Sequence, residues 1–231
     1  MKPAVVLPTY NEAENIQPLI RALLEAEPAL TVLVVDDNSP DGTGRLADEI
    51  AVKEPRVQVL HRTERRGRGY AGAEGFSWCL ARGFDPILEM DADFSHDPAA
   101  LPQLLATSRD WEVVIGSRAV PGGGEEGRGA LRRFITWGAA VYLRAMLGVR
   151  VKDPTSGYRC FRRSAMEAAH PETLTSAGPS IVTEMLYRVR RCRIKEIPIQ
   201  FKDRREGRSK FNLKAMTDSL KLAARLRFRG R

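Results

Sequence analysis

Pro86-Ile87-Leu88-Glu89-Met90, followed at once by Asp91-Ala92-Asp93-Phe94, is the stretch on which the fold turns. The short, mostly apolar run predicts a strand buried on both faces. Two carboxylates one residue apart at the exit of such a strand suit a hard divalent cation carrying phosphate oxygens. Mg²⁺ and Mn²⁺ are commonly held by one or two carboxylates plus the phosphates of a substrate. The first Asp can meanwhile hydrogen-bond the sugar or ribose of the same ligand. An Asp-x-Asp alone reads equally well as a solvated acidic turn, so its weight depends on its neighbours.

Upstream, short apolar runs alternate with helical patterns. Strands are predicted at 4–7, 31–35, 57–60, 86–90 and 113–116, and helices at 12–27, 43–53, 70–82 and 98–107. Apolar runs between helices mean an α/β fold: a mostly parallel central sheet with helices on both faces. Ligands of such sheets bind outside the carboxyl ends of the strands. Those ends carry Pro8-Thr9-Tyr10-Asn11-Glu12, Asp36-Asp37-Asn38-Ser39 and Asp91-Ala92-Asp93. After Arg118 comes a glycine-rich loop at 121–127. An apolar helix at 131–147, a β-like run at 194–201 and a basic amphipathic helix from Leu213 follow. With no internal repeat or domain-length linker, one elaborated domain is expected.

A chain of 231 residues with 43% hydrophobic content holds one good-sized globular domain and is not disordered. Its net charge of +8 lies entirely within residues 202–231, where eleven Lys and Arg face three acidic residues. A neutral body with a basic end points to a localised anionic partner, not to a protein coated in nucleic acid. Cys79, Cys160 and Cys192 are odd in number and widely spaced, which argues against zinc and disulfide frameworks and for a reducing compartment. No apolar run approaches the ~20 residues that span a bilayer, and Met1-Lys2-Pro3 opens no signal peptide. A soluble or peripheral protein is expected.

Tyr10 offers an aromatic face to a base, and Glu12 an acceptor for ring NH or ribose OH groups. The same residues also read as a helix N-terminus, capped by Thr9 or Asn11, with Glu12 facing the dipole. Asp37 stands where nucleotide-binding α/β folds aim a carboxylate at base or ribose, although Ser39-Pro40-Asp41-Gly42 is also simply a good turn. No Gly-x-Gly-x-x-Gly follows strand one and no P-loop occurs. Gly67-Arg68-Gly69-Tyr70-Ala71-Gly72 is a partial glycine match after strand three. A metal is left to neutralise any diphosphate. Arg132 and Arg133 open a helix bearing Phe134, Ile135, Trp137, Val141, Tyr142, Leu143 and Met146, which suits a membrane interface or core packing. The last helix sets Leu213, Met216, Leu220 and Leu226 against Lys214, Lys221, Arg225, Arg227 and Arg229. That pattern fits anionic headgroups at ~1 kcal/mol per basic residue, a solvated helix, or a docking site for a membrane subunit. Glu184, within an apolar helix, reads as structural or sugar-orienting.

Together these sites resemble the inverting glycosyltransferases of family 2, whose single Rossmann-like domain has the GT-A architecture. Gly116-Ser117-Arg118, Arg132-Arg133-Phe134, 153–159 (Asp-Pro-Thr-Ser-Gly-Tyr-Arg) and 204–210 (Arg-Arg-Glu-Gly-Arg-Ser-Lys) are similar to dolichol-phosphate (polyprenol-phosphate) mannosyltransferases. The resemblance implies a GT-A domain over 1–211, with a nucleotide-sugar half at 1–118 and an acceptor half at 119–211. An interfacial helix and a basic C-terminal helix at 212–231 would accompany it.

By that resemblance, Pro8, Tyr10, Glu12, Val35 and Asp37 would cradle guanosine, with Asp91 and Ala92 against ribose and sugar. Asp93 would bind Mg²⁺ or Mn²⁺ beneath the diphosphate. Many relatives place Gln two residues later as another ligand; here Ser95 stands there. Arg118, Arg132 and Arg133, with Ser209, would receive the lipid phosphate, while Arg204, Ser209 and Lys210 would close over the donor diphosphate. Asp91, Asp93 and Arg118 would carry the catalysis. The implied reaction moves mannose from GDP-mannose to a polyprenyl (dolichyl-type) phosphate with inversion. It would proceed peripherally on the cytoplasmic membrane face, with or without a membrane-spanning partner subunit. The same fold using UDP-glucose, a catalytically silent nucleotide-sugar-binding subunit and a basic nucleic-acid-binding module are the alternatives.

Overall fold

Runs of aliphatic and β-branched residues build the centre of the molecule, in a computed structural model that describes residues 1–126, 129–202 and 213–229. Strand β1 (Ala4–Thr9) leads through α1 (Ala13–Ala26) to β2 (Thr31–Asp36), α2 (Thr43–Ala51), β3 (Val57–His61), α3 (Arg68–Ala81) and β4 (Ile87–Glu89). A 3₁₀ turn and α4 (Leu101–Thr107) precede β5 (Val113–Ser117). The second half adds β6 (Gly124–Glu125), α5 (Ala130–Leu147), β7 (Arg159–Phe161), α6 (Arg163–Ala169), α7 (Ile181–Arg188), β8 (Ile194–Pro198), β9 (Gln200–Phe201) and α8 (Leu213–Arg229).

The main sheet has seven strands in the order β3-β2-β1-β4-β7-β5-β8. Every pairing is parallel except those of β7, which runs antiparallel between β4 and β5. The expected mostly parallel sheet is therefore present, with one reversed strand inserted. The predicted run at 194–201 divides at Ile199: β8 stays in the main sheet, while β9 leaves it to pair with β6.

Side chains alternate between two apolar cores, as period-2 strands require. Val6, Leu33, Val35, Ile87 and Ile115 face the layer of α3, α6 and α7. Val5, Leu7, Val32, Val34, Leu88 and Val114 face α1 and α4. Helix α3 lies unusually close to the sheet because of Gly75, where a Cβ would sit 2.5 Å from Val6 Cγ1.

Strand order reverses between β1 and β4, so the crevice beyond their carboxyl ends is a topological switch point. Helix α8 packs across α5 and α7. Its apolar side, with Ala223 fully buried and Leu220 against the core, is used inside the molecule. The apolar side of the basic amphipathic helix thus packs on the domain, and Lys221, Arg225 and Arg227 lie on its outer side. Helix α5 divides its apolar residues: Leu143 and Leu147 are buried, whereas Phe134, Trp137, Val141 and Tyr142 are exposed.

Candidate active site

The exits of β1 and β2 are laced together. Thr43 Oγ1 accepts from Glu12 N at 2.9 Å and Asp41 Oδ2 from Ala13 N at 3.0 Å, so the turn after β2 satisfies the start of α1. Neither Thr9 nor Asn11 supplies that cap. Thr9 Oγ1 instead donates to Asp36 Oδ1 at 3.1 Å, and Ser39 Oγ to the same oxygen at 2.6 Å. Asp36 is thereby spent on the turn. Asp37 accepts from the buried Arg62 and from the Gly67 amide, and its carbonyl takes Arg66 Nε at 3.0 Å. The Arg66 guanidinium lies 4.8 Å from the centre of the Tyr10 ring, so a cation and an aromatic face border the β1–β2 end of the crevice.

The crevice is a cleft of about 420 Å³ whose lining includes Pro8, Tyr10, Glu12, Asp37, Asp91, Ala92 and Asp93. Side chains drawn from the ends of β1, β2 and β4 thus meet in one space. Val35 does not join them: it is fully buried, with its side chain against Gly75 of α3. Only its main chain stands near the strand exit.

Asp93 lines the cleft, and both it and the neighbouring Ser95 are almost wholly buried. Asp93 Oδ1 accepts from Ser95 N at 3.0 Å. Ser95 Oγ is buried with no hydrogen-bond partner, and buried polar atoms are seldom left that way. A carboxylate beside an unsatisfied hydroxyl is a hard oxygen-donor pair that fits Mg²⁺ or Mn²⁺ with water and phosphate completing the shell. Among the described residues no cluster of three or more His, Cys, Asp and Glu could hold a metal unaided. His96 Nδ1 accepts from Asp91 N at 3.1 Å, while its ring stacks on Tyr158. Burial pushes the His96 pKa down despite the opposing pull of Asp91 and Asp93.

Arg118 occupies a different position. Its guanidinium forks onto Asp153, with Nε and Nη2 each 2.7 Å from a carboxylate oxygen, and reaches Thr155 Oγ1 at 2.6 Å and Glu125 at 3.1 Å. Burial raises the Asp153 carboxyl, but the bonds from Arg118 outweigh it and leave its pKa below the ordinary value. Arg118 heads a second cavity of about 220 Å³ between α5, α7 and α8, lined further in by Leu143, Met216 and Leu220. Thr155, Pro179 and Val182 line both cavities and form the wall between them. That wall is stapled from below by Arg159, which donates to the carbonyls of Pro154, Ser156 and Val182 at 2.9, 2.8 and 2.6 Å. Arg132 and Arg133 fall in the first turn of α5, with side chains outside the described ones. Arg204, Ser209 and Lys210 lie outside the described residues altogether.

Residues 4–169 match the family model described as Glycosyl transferase family 2. The chain belongs to glycosyl transferase family 2. This glycosyltransferase is 44% identical to the undecaprenyl-phosphate mannosyltransferase of Micrococcus luteus, over 92% of this chain and 88% of that one. It is 40% identical to the polyprenol monophosphomannose synthase of Mycolicibacterium smegmatis, over 98% and 87% respectively. In fold it is similar to glucosyl-3-phosphoglycerate synthase from Mycobacterium tuberculosis, solved with Mn²⁺, UDP and glucosyl-3-phosphoglycerate. The TM-score is 0.70 at 19% identity, covering 98% of this glycosyltransferase and 79% of that chain. The likeness supports the GT-A architecture.

Sequence reading gave no individual role to four participants, although Asp153 and Arg159 fell within a quoted motif. Arg68 reaches Asp91, Glu89 lies buried behind it, Arg159 staples the shared wall, and Asp153 holds Arg118. Glu89 and Arg159 carried a signal: each is a charge inside a strand otherwise made of apolar residues. Glu184, left open between structural and sugar-orienting, is buried and accepts from Ser176 N and Oγ at 3.0 and 2.6 Å, organising the loop before α7.

Proposed function

We propose that this glycosyltransferase moves mannose from GDP-mannose to a polyprenyl phosphate, giving β-mannosyl phosphate and GDP. The observation that carries the reading is the shared wall. A polar cleft with an Asp-x-Asp floor adjoins an apolar groove headed by an arginine, which suits a nucleotide sugar meeting a lipid phosphate. The names of the relatives in M. luteus and M. smegmatis support the lipid acceptor.

Pro8, Tyr10, Glu12, Asp37 and the main chain of Val35 hold the nucleoside, and Asp91 and Ala92 orient ribose and sugar. Asp93 and Ser95 would hold Mg²⁺ or Mn²⁺, which supplies charge neutralisation for the departing diphosphate. The acceptor phosphate oxygen is already anionic at neutral pH, so the protein need not provide a strong base. It must align that oxygen with the anomeric carbon and offset the repulsion of two anions.

Arg118 contributes the positive centre. Its single contact to Glu125 is the one a lipid phosphate displaces, because the two-point bond to Asp153 is the stronger. Arg132, Arg133 and Ser209 add to the acceptor phosphate site, and Arg204, Ser209 and Lys210 close over the donor. The exposed Phe134, Trp137, Val141 and Tyr142 recur on one face of α5 at helical spacing. They form the membrane-docking face, with the aromatic and basic character of an interfacial helix. No helix among the described residues is long and apolar enough to cross a membrane, so the proposal is peripheral docking at the cytoplasmic face.

The test offers radiolabelled GDP-mannose or UDP-glucose, one at a time, to the same polyprenyl phosphate in detergent. Label from GDP-mannose is expected in the lipid; faster transfer from UDP-glucose overturns the donor assignment.

A further inference from the structure

Gly67-Arg68-Gly69 fits no phosphate-binding fingerprint, yet each residue is constrained. Gly67 has φ +139°, and a Cβ there would lie 2.3 Å from the Ala177 carbonyl oxygen. At Gly69 a Cβ would lie 1.9 Å from the Ser176 carbonyl oxygen, and Gly69 N donates to Ala177 O at 2.9 Å. Only glycine on both sides lets the start of α3 press against this loop, which Glu184 holds from the other side. The side chain between them spans the cleft floor. Arg68 Nε and Nη2 both donate to Asp91 Oδ1, at 3.1 and 2.6 Å, and Nη1 reaches Glu89 Oε1 at 3.2 Å.

Glu89 is fully buried, and its other oxygen, Oε2, has no hydrogen-bond partner. Burial pushes its pKa up against the pull of Arg68 and Arg159. Burial also opposes the charge on Arg68, but Asp91 and Glu89 outweigh it and raise that pKa. If Arg68 served packing alone, Glu89 would suffice as its partner. Two of its three bonds go instead to a cleft carboxylate, and Arg68 itself lines the cleft.

We propose that Arg68 is the built-in counter-cation of the donor cleft. Anchored from behind by Glu89, it holds Asp91 by one oxygen and prevents a divalent cation from settling between Asp91 and Asp93 before the nucleotide arrives. The metal is thereby confined to the Asp93–Ser95 side and loads together with a nucleoside diphosphate. Arg68 is a positioning residue, and the inference rests on the metal-dependent reading of the cleft.

The test is Mn²⁺ binding followed by electron paramagnetic resonance, with and without GDP, on the full chain. Removing one positive charge near a divalent ion is expected to tighten Mn²⁺ binding without GDP by about tenfold or more in Arg68→Met. Arg68→Lys, which keeps the charge, stays near wild type. The variant Arg68→Met/Glu89→Gln removes the stranded buried carboxylate along with its partner. It decides the question if the single variant does not fold, and its Mn²⁺ affinity without GDP is also expected to exceed wild type. General structural damage would weaken Mn²⁺ binding, so unchanged or weaker binding in the folded variants overturns the inference. A wild type that binds Mn²⁺ with GDP but transfers no mannose would instead sink the proposed reaction and leave this inference standing.

Discussion

The cleft at the ends of β1, β2 and β4 and the groove between α5 and α8 are made of different materials. In the cleft, carboxylates are placed by strand exits and cross-loop hydrogen bonds, and nearly every polar side chain already has an address: Asp36 to Thr9 and Ser39, Asp37 to Arg62, Asp91 to Arg68. The groove is walled by helices that contribute Ala139, Leu143, Val182, Met216 and Leu220, with Arg118 its one charged lining residue among the described ones and Thr136, Thr183 and Ser219 adding only hydroxyls. On the proposed reaction, the contrast follows from what each would hold. A nucleotide sugar needs directional donors and acceptors at fixed distances, whereas a prenyl chain needs apolar area and tolerates variation in shape.

Substitutions should therefore separate the two regions. The largest effect is expected at the cleft floor. Asp93→Ala should lower mannosyl transfer by about 10³-fold, the scale for losing transition-state charge stabilisation, while circular dichroism shows a folded chain. Transfer within tenfold of wild type would break the assignment of Asp93.

Next comes the scaffold joining the regions. Gly69→Ala places a Cβ 1.9 Å from a backbone oxygen that cannot easily retreat. A loss of about 2–3 kcal/mol in urea unfolding is expected, on the scale of overpacking. Stability unchanged within error would show that the 176–177 loop is not held as described.

A smaller effect belongs to the acceptor side alone. Phe134→Ser/Trp137→Ser should weaken liposome flotation by about tenfold or more, since each exposed aromatic buries an apolar face in the interface. GDP binding, followed by calorimetry, should stay within twofold of wild type. Equal losses in both measurements would abolish the distinction between the two regions.

The smallest effect is in acid. The depressed Asp153 pKa means that its pairing with Arg118 contributes stability above the ordinary carboxyl value of 3.8, and that this contribution is lost as pH falls through the lower folded value. Asp153→Asn lacks that titration, so its stability, read by fluorescence-monitored unfolding, should fall less than wild type over the same acid range.

The asymmetry between the regions also explains what could be read from sequence. Strand exits are local: Asp37 follows β2 and Asp91 follows β4, and the parallel order places such exits on one edge. Pro8, Tyr10, Glu12 and Asp93 stand at such exits too, and the structure brings them into one cleft. Val35 was named without a choice between its two halves: its carbonyl stands at the strand end, and its side chain is buried in the core. The link from Arg68 to Asp91 joins residues 23 apart and depends on how α3 starts, which hinges on glycines packed against a distant loop. Strand β7 is three residues long and opens with Arg159, so no periodicity announced it. Helix α5 was readable as interfacial or as core, and it divides its apolar residues, with Leu143 buried and Trp137 exposed.

The account stands most directly on metal-dependent transfer of mannose to a lipid phosphate. The deciding measurement is the initial rate from labelled GDP-mannose to polyprenyl phosphate, first with EDTA and then with excess Mg²⁺ or Mn²⁺. The account predicts no product with EDTA and recovery when either metal is restored. A rate that EDTA leaves unchanged would contradict it.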